Sequence, residues 1–79
     1  MKINVLYFAR LKSLKGISSE TVETDCQTID ELYQHLGLDK LDGMSKEQVK
    51  PAVNEAFCDY AAALKDGDTV AFMPPMSGG

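Results

Sequence analysis

The residues best suited to chemistry stand together at the end of the sequence, in Pro74-Pro75-Met76-Ser77-Gly78-Gly79. Two glycines have no Cβ, so they form a thin strip of backbone that can thread a narrow channel and present the α-carboxylate of Gly79 to another protein. We expect that carboxylate to be the reactive group and Gly78 and Ser77 to be the threading part. On the glycines alone, a frayed tail without function is the commoner interpretation.

The residues directly before the tail favour function. The run Thr69-Val70-Ala71-Phe72-Met73 is apolar and typical of a strand, and Pro74 and Pro75 follow it. Proline fixes φ and has no N–H to give to a sheet, so the pair ends the strand and holds the tail away from the domain. The sequence therefore predicts a stiff exit from a folded body toward a flexible, reactive end.

Composition limits the classes of function. At 79 residues, the chain is expected to be one domain over 1–79, with a core but no deep cleft of its own. A net charge of −4 disfavours nucleic acid and favours a partner with a basic docking face. No apolar run suits a membrane span or a signal peptide, so we expect a cytoplasmic protein that binds no membrane. Cys26 and Cys58 fit no metal or redox spacing, and we expect no bound metal.

The first half of the chain predicts two strands and a short helix. A strand over 2–8 places Ile3, Val5 and Tyr7 on one face and leaves Leu6 and Phe8 on the other. The short helix covers Ala9–Lys15 and stops at Gly16. The second strand covers Ser19–Thr24 at a sheet edge, where Glu20 and Glu23 are expected to be solvated.

The main helix begins at Thr28. Thr28 and Glu31 have the spacing of a capping box, and Gly37 ends the helix. Its apolar residues form one stripe: Ile29, Leu32, Tyr33 and Leu36. Residues 38–50 show no periodicity and predict a loop with at most a helical turn. Residues 51–57 then predict a short strand and a turn, and Asp66-Gly67 marks a tight turn before the last strand.

This order of elements predicts the fold. The first and last strands are apolar on both faces, which is typical of adjacent parallel strands at the centre of a sheet. The main helix would cover one face of that mixed sheet. The predicted class is therefore α+β, with the ubiquitin-like β-grasp fold.

Four segments together resemble the small subunit of molybdopterin synthase: Met1–Arg10, Val53-Asn54-Glu55, Leu64–Phe72 and Pro74–Gly79. A Gly-Gly end alone is shared with ubiquitin-like modifiers and with the thiamine-pathway sulfur carrier, but Pro-Pro-x-Ser-Gly-Gly after an apolar strand is more restrictive. The resemblance runs over the whole chain. It departs at Met73, where the family often has an aromatic residue, and over 39–50, which matches little.

The resemblance implies a chemistry for Gly79. An adenylating enzyme of the ubiquitin-activating type would use ATP to form an acyl-adenylate, because a free carboxylate is a poor electrophile. A persulfide would then leave a thiocarboxylate, which donates sulfur to cyclic pyranopterin monophosphate during molybdenum cofactor biosynthesis. The chain would be the non-catalytic, sulfur-donating subunit of a transferase, in a heterotetramer of two small and two large subunits, and would bind no cofactor itself.

The resemblance also implies a docking surface. It places Phe8, Phe57 and Met73 together as an apolar patch for the large subunit, with Pro74 and Pro75 continuing into the partner. An ordinary surface with scattered apolar residues is the alternative. Two other functions stay open: a sulfur carrier for thiamine or another pathway, and a protein modifier whose Gly79 forms an isopeptide bond with lysine.

Overall fold

The structure is a computed structural model that describes residues 1–41 and 46–74. Its strands and helices, in chain order, are β1 (Lys2–Tyr7), α1 (Ala9–Lys15), β2 (Ser19–Glu23), α2 (Ile29–His35), β3 (Lys50–Val53), β4 (Ala56–Phe57) and β5 (Thr69–Met73). Short 3₁₀ turns lie at Leu38–Lys40 and Lys46–Gln48. Five residues of the predicted tail lie outside the described residues: Pro75, Met76, Ser77, Gly78 and Gly79.

The strands form one mixed sheet in the order β2-β1-β5-β3-β4. β1 and β5 are parallel neighbours at its centre, with Val5 opposite Val70, while the other pairs are antiparallel. β2 lies at an edge, as its weak alternation predicts. This is the β-grasp arrangement, so the predicted fold class is confirmed.

Period-two alternation decides which face of the sheet is covered. Ile3 and Val5 are fully buried and Tyr7 nearly so, whereas Asn4 and Phe8 are exposed. The buried face packs against both helices around one core. The predicted facing of the first strand is therefore confirmed, and Leu6 and Phe8 lie on the face opposite the helices.

The start of α2 follows the predicted capping pattern with one difference. The Thr28 hydroxyl accepts a hydrogen bond from the Glu31 N–H at 3.2 Å. The Glu31 carboxylate reaches back to the N–H of Gln27, one residue before the cap, at 2.6 Å. Both bonds satisfy donors at the start of the helix. The predicted apolar stripe is buried, and the Tyr33 ring contacts Phe72 edge-on with centroids 5.9 Å apart.

Replacing Thr28 with alanine should destabilise the protein by about 1 kcal/mol, because the Glu31 N–H loses its acceptor. For a domain of this size, that corresponds to a melting temperature lower by roughly 4–8 °C. Thr28→Ser keeps the hydroxyl and should melt close to wild type. Thermal unfolding followed by circular dichroism measures both variants, and equal losses in the two would show that the hydroxyl does not cap the helix.

Two predictions need correction. Glu20 is not simply solvated: it is half-buried on the helix side and accepts a hydrogen bond from the Tyr7 hydroxyl at 2.6 Å. Burial, and then the bond to Glu20, raise the pKa of Tyr7, so this phenol stays protonated and donates. Residues 38–50, predicted as a loop with at most one helical turn, contain two 3₁₀ turns, and Leu38 and Val49 are core residues. Their burial follows from tertiary contacts, since neither belongs to a periodic pattern.

Metal and membrane binding find no support in the described residues. Within 1–41 and 46–74, no group of three or more His, Cys, Asp or Glu could hold a metal ion. None of the helices in these ranges has the length and apolar character that crossing a membrane requires. Cys26 and Cys58 are free thiols. Cytoplasmic residence and the absence of a cofactor stay predictions.

Candidate functional site

The face of the sheet opposite the helices carries a groove of about 530 Å³. Its lining comes from all the strands except β2 and from the residues next to them: Leu6, Phe8, Ala52, Asn54, Glu55, Phe57, Thr69, Ala71 and Met73. We call this the docking groove. It has the mixture expected of a protein-binding surface, in which an apolar centre is bordered by polar groups.

The structure brings three of the predicted partner-binding residues into this groove. Phe8 follows the last residue of β1 and is 44% exposed, and Phe57 ends β4 and is 68% exposed. Met73 ends β5 and is half-buried, as is Pro74 after it. Large apolar side chains this exposed indicate a surface that another molecule covers. Their role in partner binding stays a prediction, as do the roles of Pro74, Pro75 and the tail.

Small residues between the large ones create the depression. Ala71 of β5 is paired in register with Leu6 on one side and with Ala52 on the other. Both alanines are almost fully buried, yet their methyl groups fill little space. Phe8 and Phe57 therefore project further from the sheet than Ala52 and Ala71, and a partner side chain could fill the space between the two rings.

Unfavourable backbone conformations cluster beside the groove. In the described part of the chain, the non-glycine residues with positive φ are Ala9 at 50°, Asn54 at 50° and Glu55 at 73°. Ala9 follows Phe8, while Asn54 and Glu55 form the two-residue turn between β3 and β4 that leads to Phe57. Such conformations cost free energy for side chains with a Cβ, and they concentrate at functional sites. The groove is the surface they border.

The Asn54 side chain fixes this turn to the neighbouring strand. Its amide nitrogen donates to the Asp68 carboxylate, and its oxygen accepts from the Thr69 N–H, both at 3.0 Å. The Asn54 backbone N–H also donates to the Thr69 carbonyl at 2.8 Å. Asp68 is buried and accepts the Lys65 N–H as well. This network holds one wall of the groove rigid, and sequence reasoning missed it.

Cys58 lies next to the groove but is poorly suited to carry sulfur as a nucleophile. Burial raises the pKa of its thiol, the charge of Asp59 raises it further, and a backbone hydrogen bond from Val53 opposes the shift only in part. The reactive form of cysteine is the thiolate, and a raised pKa reduces its population at neutral pH. Cys58 is therefore a poor candidate for a second sulfur-carrying group beside the predicted terminal carboxylate.

The described residues form a small β-grasp domain with an exposed apolar groove on the face opposite the helices. The chain belongs to the ThiS family, whose sequence profile matches residues 5–79. It is similar to the molybdopterin synthase sulfur carrier subunit of Haemophilus influenzae, with 34% identity covering 98% of this chain and 99% of that protein. The predicted resemblance is therefore confirmed. The similarity extends over the full length of both proteins.

Solved structures show the same fold. The putative molybdopterin converting factor subunit 1 of Pyrococcus furiosus aligns with a TM-score of 0.77 and 29% identity, over 96% of this chain and 99% of that one. A chain from the complex of subunits 1 and 2 of molybdopterin-converting factor of Helicobacter pylori aligns with a TM-score of 0.68 and 24% identity over both full chains. The small archaeal modifier protein 1 of Haloferax volcanii aligns with a TM-score of 0.78 and 21% identity, over 95% of this chain and 98% of that one. At 24% and 21% identity, the similarity to the Helicobacter pylori and Haloferax volcanii proteins shows a shared fold and no more.

Proposed function

We propose that this chain is the sulfur-carrier subunit of a molybdopterin synthase and that Gly79 carries the sulfur as a thiocarboxylate. The observation that carries the proposal is the full-length similarity to sulfur carrier subunits, in a family profile that extends through Gly79. The docking groove supports it, because a small donor needs a surface that positions its reactive end on a partner.

The chemistry begins with activation. The Gly79 carboxylate attacks the α-phosphate of ATP and releases pyrophosphate, which leaves an acyl-adenylate with AMP as a good leaving group. A persulfide then attacks the carbonyl carbon and displaces AMP. A thiol then attacks the sulfur–sulfur bond that came from the persulfide, which releases the thiocarboxylate and leaves a disulfide on the donor. An adenylating enzyme of the ubiquitin-activating type would perform these steps, so ATP binds there and the carrier needs no cofactor.

Transfer takes place on a second partner. The thiocarboxylate sulfur attacks a side-chain carbon of the cyclic pyranopterin monophosphate, and a carbon–oxygen bond of that carbon breaks as the carbon–sulfur bond forms. Water then cleaves the resulting thioester and returns the Gly79 carboxylate. Two such transfers, from two carriers, supply the two sulfurs of the dithiolene. The large subunit would supply the substrate pocket and the acid–base groups, since the described residues of this chain form only an open groove. The complex of the two Helicobacter pylori subunits supports such a partner. The proposed assembly contains two small and two large subunits.

Two other functions remain as outcomes of the test. A carrier for thiamine or another pathway would form the same thiocarboxylate but would not serve the large subunit. A protein modifier would join Gly79 to lysines of other proteins, and the shared fold with an archaeal modifier does not separate these cases.

Reconstitution of the sulfur-transfer reaction from purified components distinguishes the three functions. The protein ending in Gly79 is incubated with ATP, the activating enzyme, a persulfide donor, the large subunit and cyclic pyranopterin monophosphate. We expect conversion of the pterin to the dithiolene product, and no conversion when ATP is left out. Thiocarboxylate without pterin conversion would favour another sulfur pathway. Isopeptide-linked adducts on lysines, without thiocarboxylate, would favour the modifier.

A further inference from the structure

The docking groove carries one acidic group in a largely uncharged lining. Of its nine described lining residues, six are apolar and Asn54 and Thr69 are neutral, so Glu55 is the only charged one. Glu55 is exposed, and its side chain makes no hydrogen bond or ion pair with the other residues of 1–41 and 46–74. Its carboxylate is therefore available to a group on another molecule.

The backbone at Glu55 argues that the side chain itself is useful. The Asn54-Glu55 turn has positive φ at both residues, the pattern of a type I′ hairpin, in which the second position strongly prefers glycine. Asparagine suits the first position, but glutamate at the second costs stability in the free protein. A residue that opposes the local preference, at the rim of an exposed apolar groove, points to a role outside the monomer.

We propose that Glu55 is an orienting contact for the large subunit, and that the groove's occupant is a face with a lysine or arginine beside an apolar side chain. This inference rests on the proposed function. The apolar group would lie between Phe8 and Phe57, and the cation would pair with the Glu55 carboxylate.

Charge complementarity supports this partner. The chain carries a net charge of −4, and the large subunit must hold a phosphate-bearing pterin, so its surface near that pocket should be basic. An acidic rim on the carrier then attracts the correct face of the partner. It also opposes docking on acidic surfaces.

The distance between Glu55 and the start of the tail would affect how the carrier is oriented on the large subunit. Glu55 lies near Thr69 at the start of β5, whereas the tail leaves from Met73 at its end. Thr69 and Met73 are four positions apart in β5, which corresponds to roughly 13 Å along the strand. The carrier would thus be held on its partner at two points, Glu55 and the start of the tail after Met73. Two fixed points set the orientation of the carrier on the partner and direct the tail into it.

The test uses full-length variants and the large subunit encoded in the same genome. Lys50 is the matched control, because it lies opposite Met73 at the other end of the groove and carries the opposite charge. Calorimetry should show affinity weakened roughly three- to tenfold for Glu55→Gln at low salt, and by less at high salt. Glu55→Lys should lose more than tenfold. Lys50→Gln should bind as tightly as wild type or more tightly.

Stability separates binding from folding. Glu55→Gly should melt at the same temperature as wild type or higher, because glycine suits positive φ, and yet bind as weakly as Glu55→Gln. Wild-type affinity in Glu55→Lys, or equal weakening by Glu55→Gln and Lys50→Gln, would overturn the proposal while leaving the sulfur-carrier function intact. Failure of the wild-type chain itself to bind would overturn both the Glu55 contact and the assignment to molybdopterin synthase.

Discussion

Deleting Gly79, or extending the chain beyond it with a stable tag, should reduce sulfur transfer below detection. No side chain can replace the α-carboxylate as the group that is adenylated and thiolated, so the loss should be complete rather than graded. The core of the described residues ends at Phe72, and the melting temperature should therefore not change. The reconstituted synthase reaction and thermal unfolding measure the two expectations.

The matched control is a tag at the other end of the chain, or a cleavable C-terminal tag removed so that Gly79 is again the last residue. Activity should return with removal of the tag. Full activity of the stably extended protein would contradict the sulfur-carrier mechanism, because no free carboxylate would then be available at Gly79.

Replacing Phe8 with aspartate should weaken binding to the large subunit by about 2 kcal/mol or more, roughly 30-fold in Kd. The reason is burial of a charge within the apolar centre of the groove, where Phe8 and Phe57 are the exposed anchors. Phe8→Ala should cost less, since it removes contact area without adding a buried charge. Neither variant should unfold the free protein, because Phe8 is 44% exposed in it.

Ile17 provides the control for a charge placed on exposed apolar surface. It is 41% exposed, similar to Phe8, and does not line the docking groove. Ile17→Asp should leave the affinity close to wild type. Equal losses for Phe8→Asp and Ile17→Asp would mean that the groove is not the interface, and a large fall in the melting temperature of Phe8→Ala would mean that Phe8 supports the core.

Local patterns in the sequence were sufficient for much of the fold. Alternation in β1 decided which residues face the helices, and the capping residues Thr28 and Glu31 marked the start of α2. The apolar character of β1 and β5 indicated that they are central and parallel. These features depend on neighbours in the chain, so they can be derived without tertiary contacts.

Features that depend on distant residues could not be derived in that way. The depth of the groove comes from the register that pairs Ala71 with Leu6 and Ala52. The Asn54 network joins residues 14 and 15 positions apart. Burial of Leu38 and Val49 has no periodic signal. The grouping of Phe8, Phe57 and Met73 was expected through the family resemblance, since alternation alone places residues on a face but not beside one another.

The mass of the intact protein, isolated from cells with Gly79 as its last residue, tests the central claim most directly. We predict a species heavier by the exchange of one oxygen for one sulfur, located by fragmentation at Gly79 and absent when the activating enzyme is deleted. Only the unmodified mass, in cells that produce the activating enzyme and a persulfide donor but lack the large subunit, so that the thiocarboxylate cannot be consumed, would contradict the account.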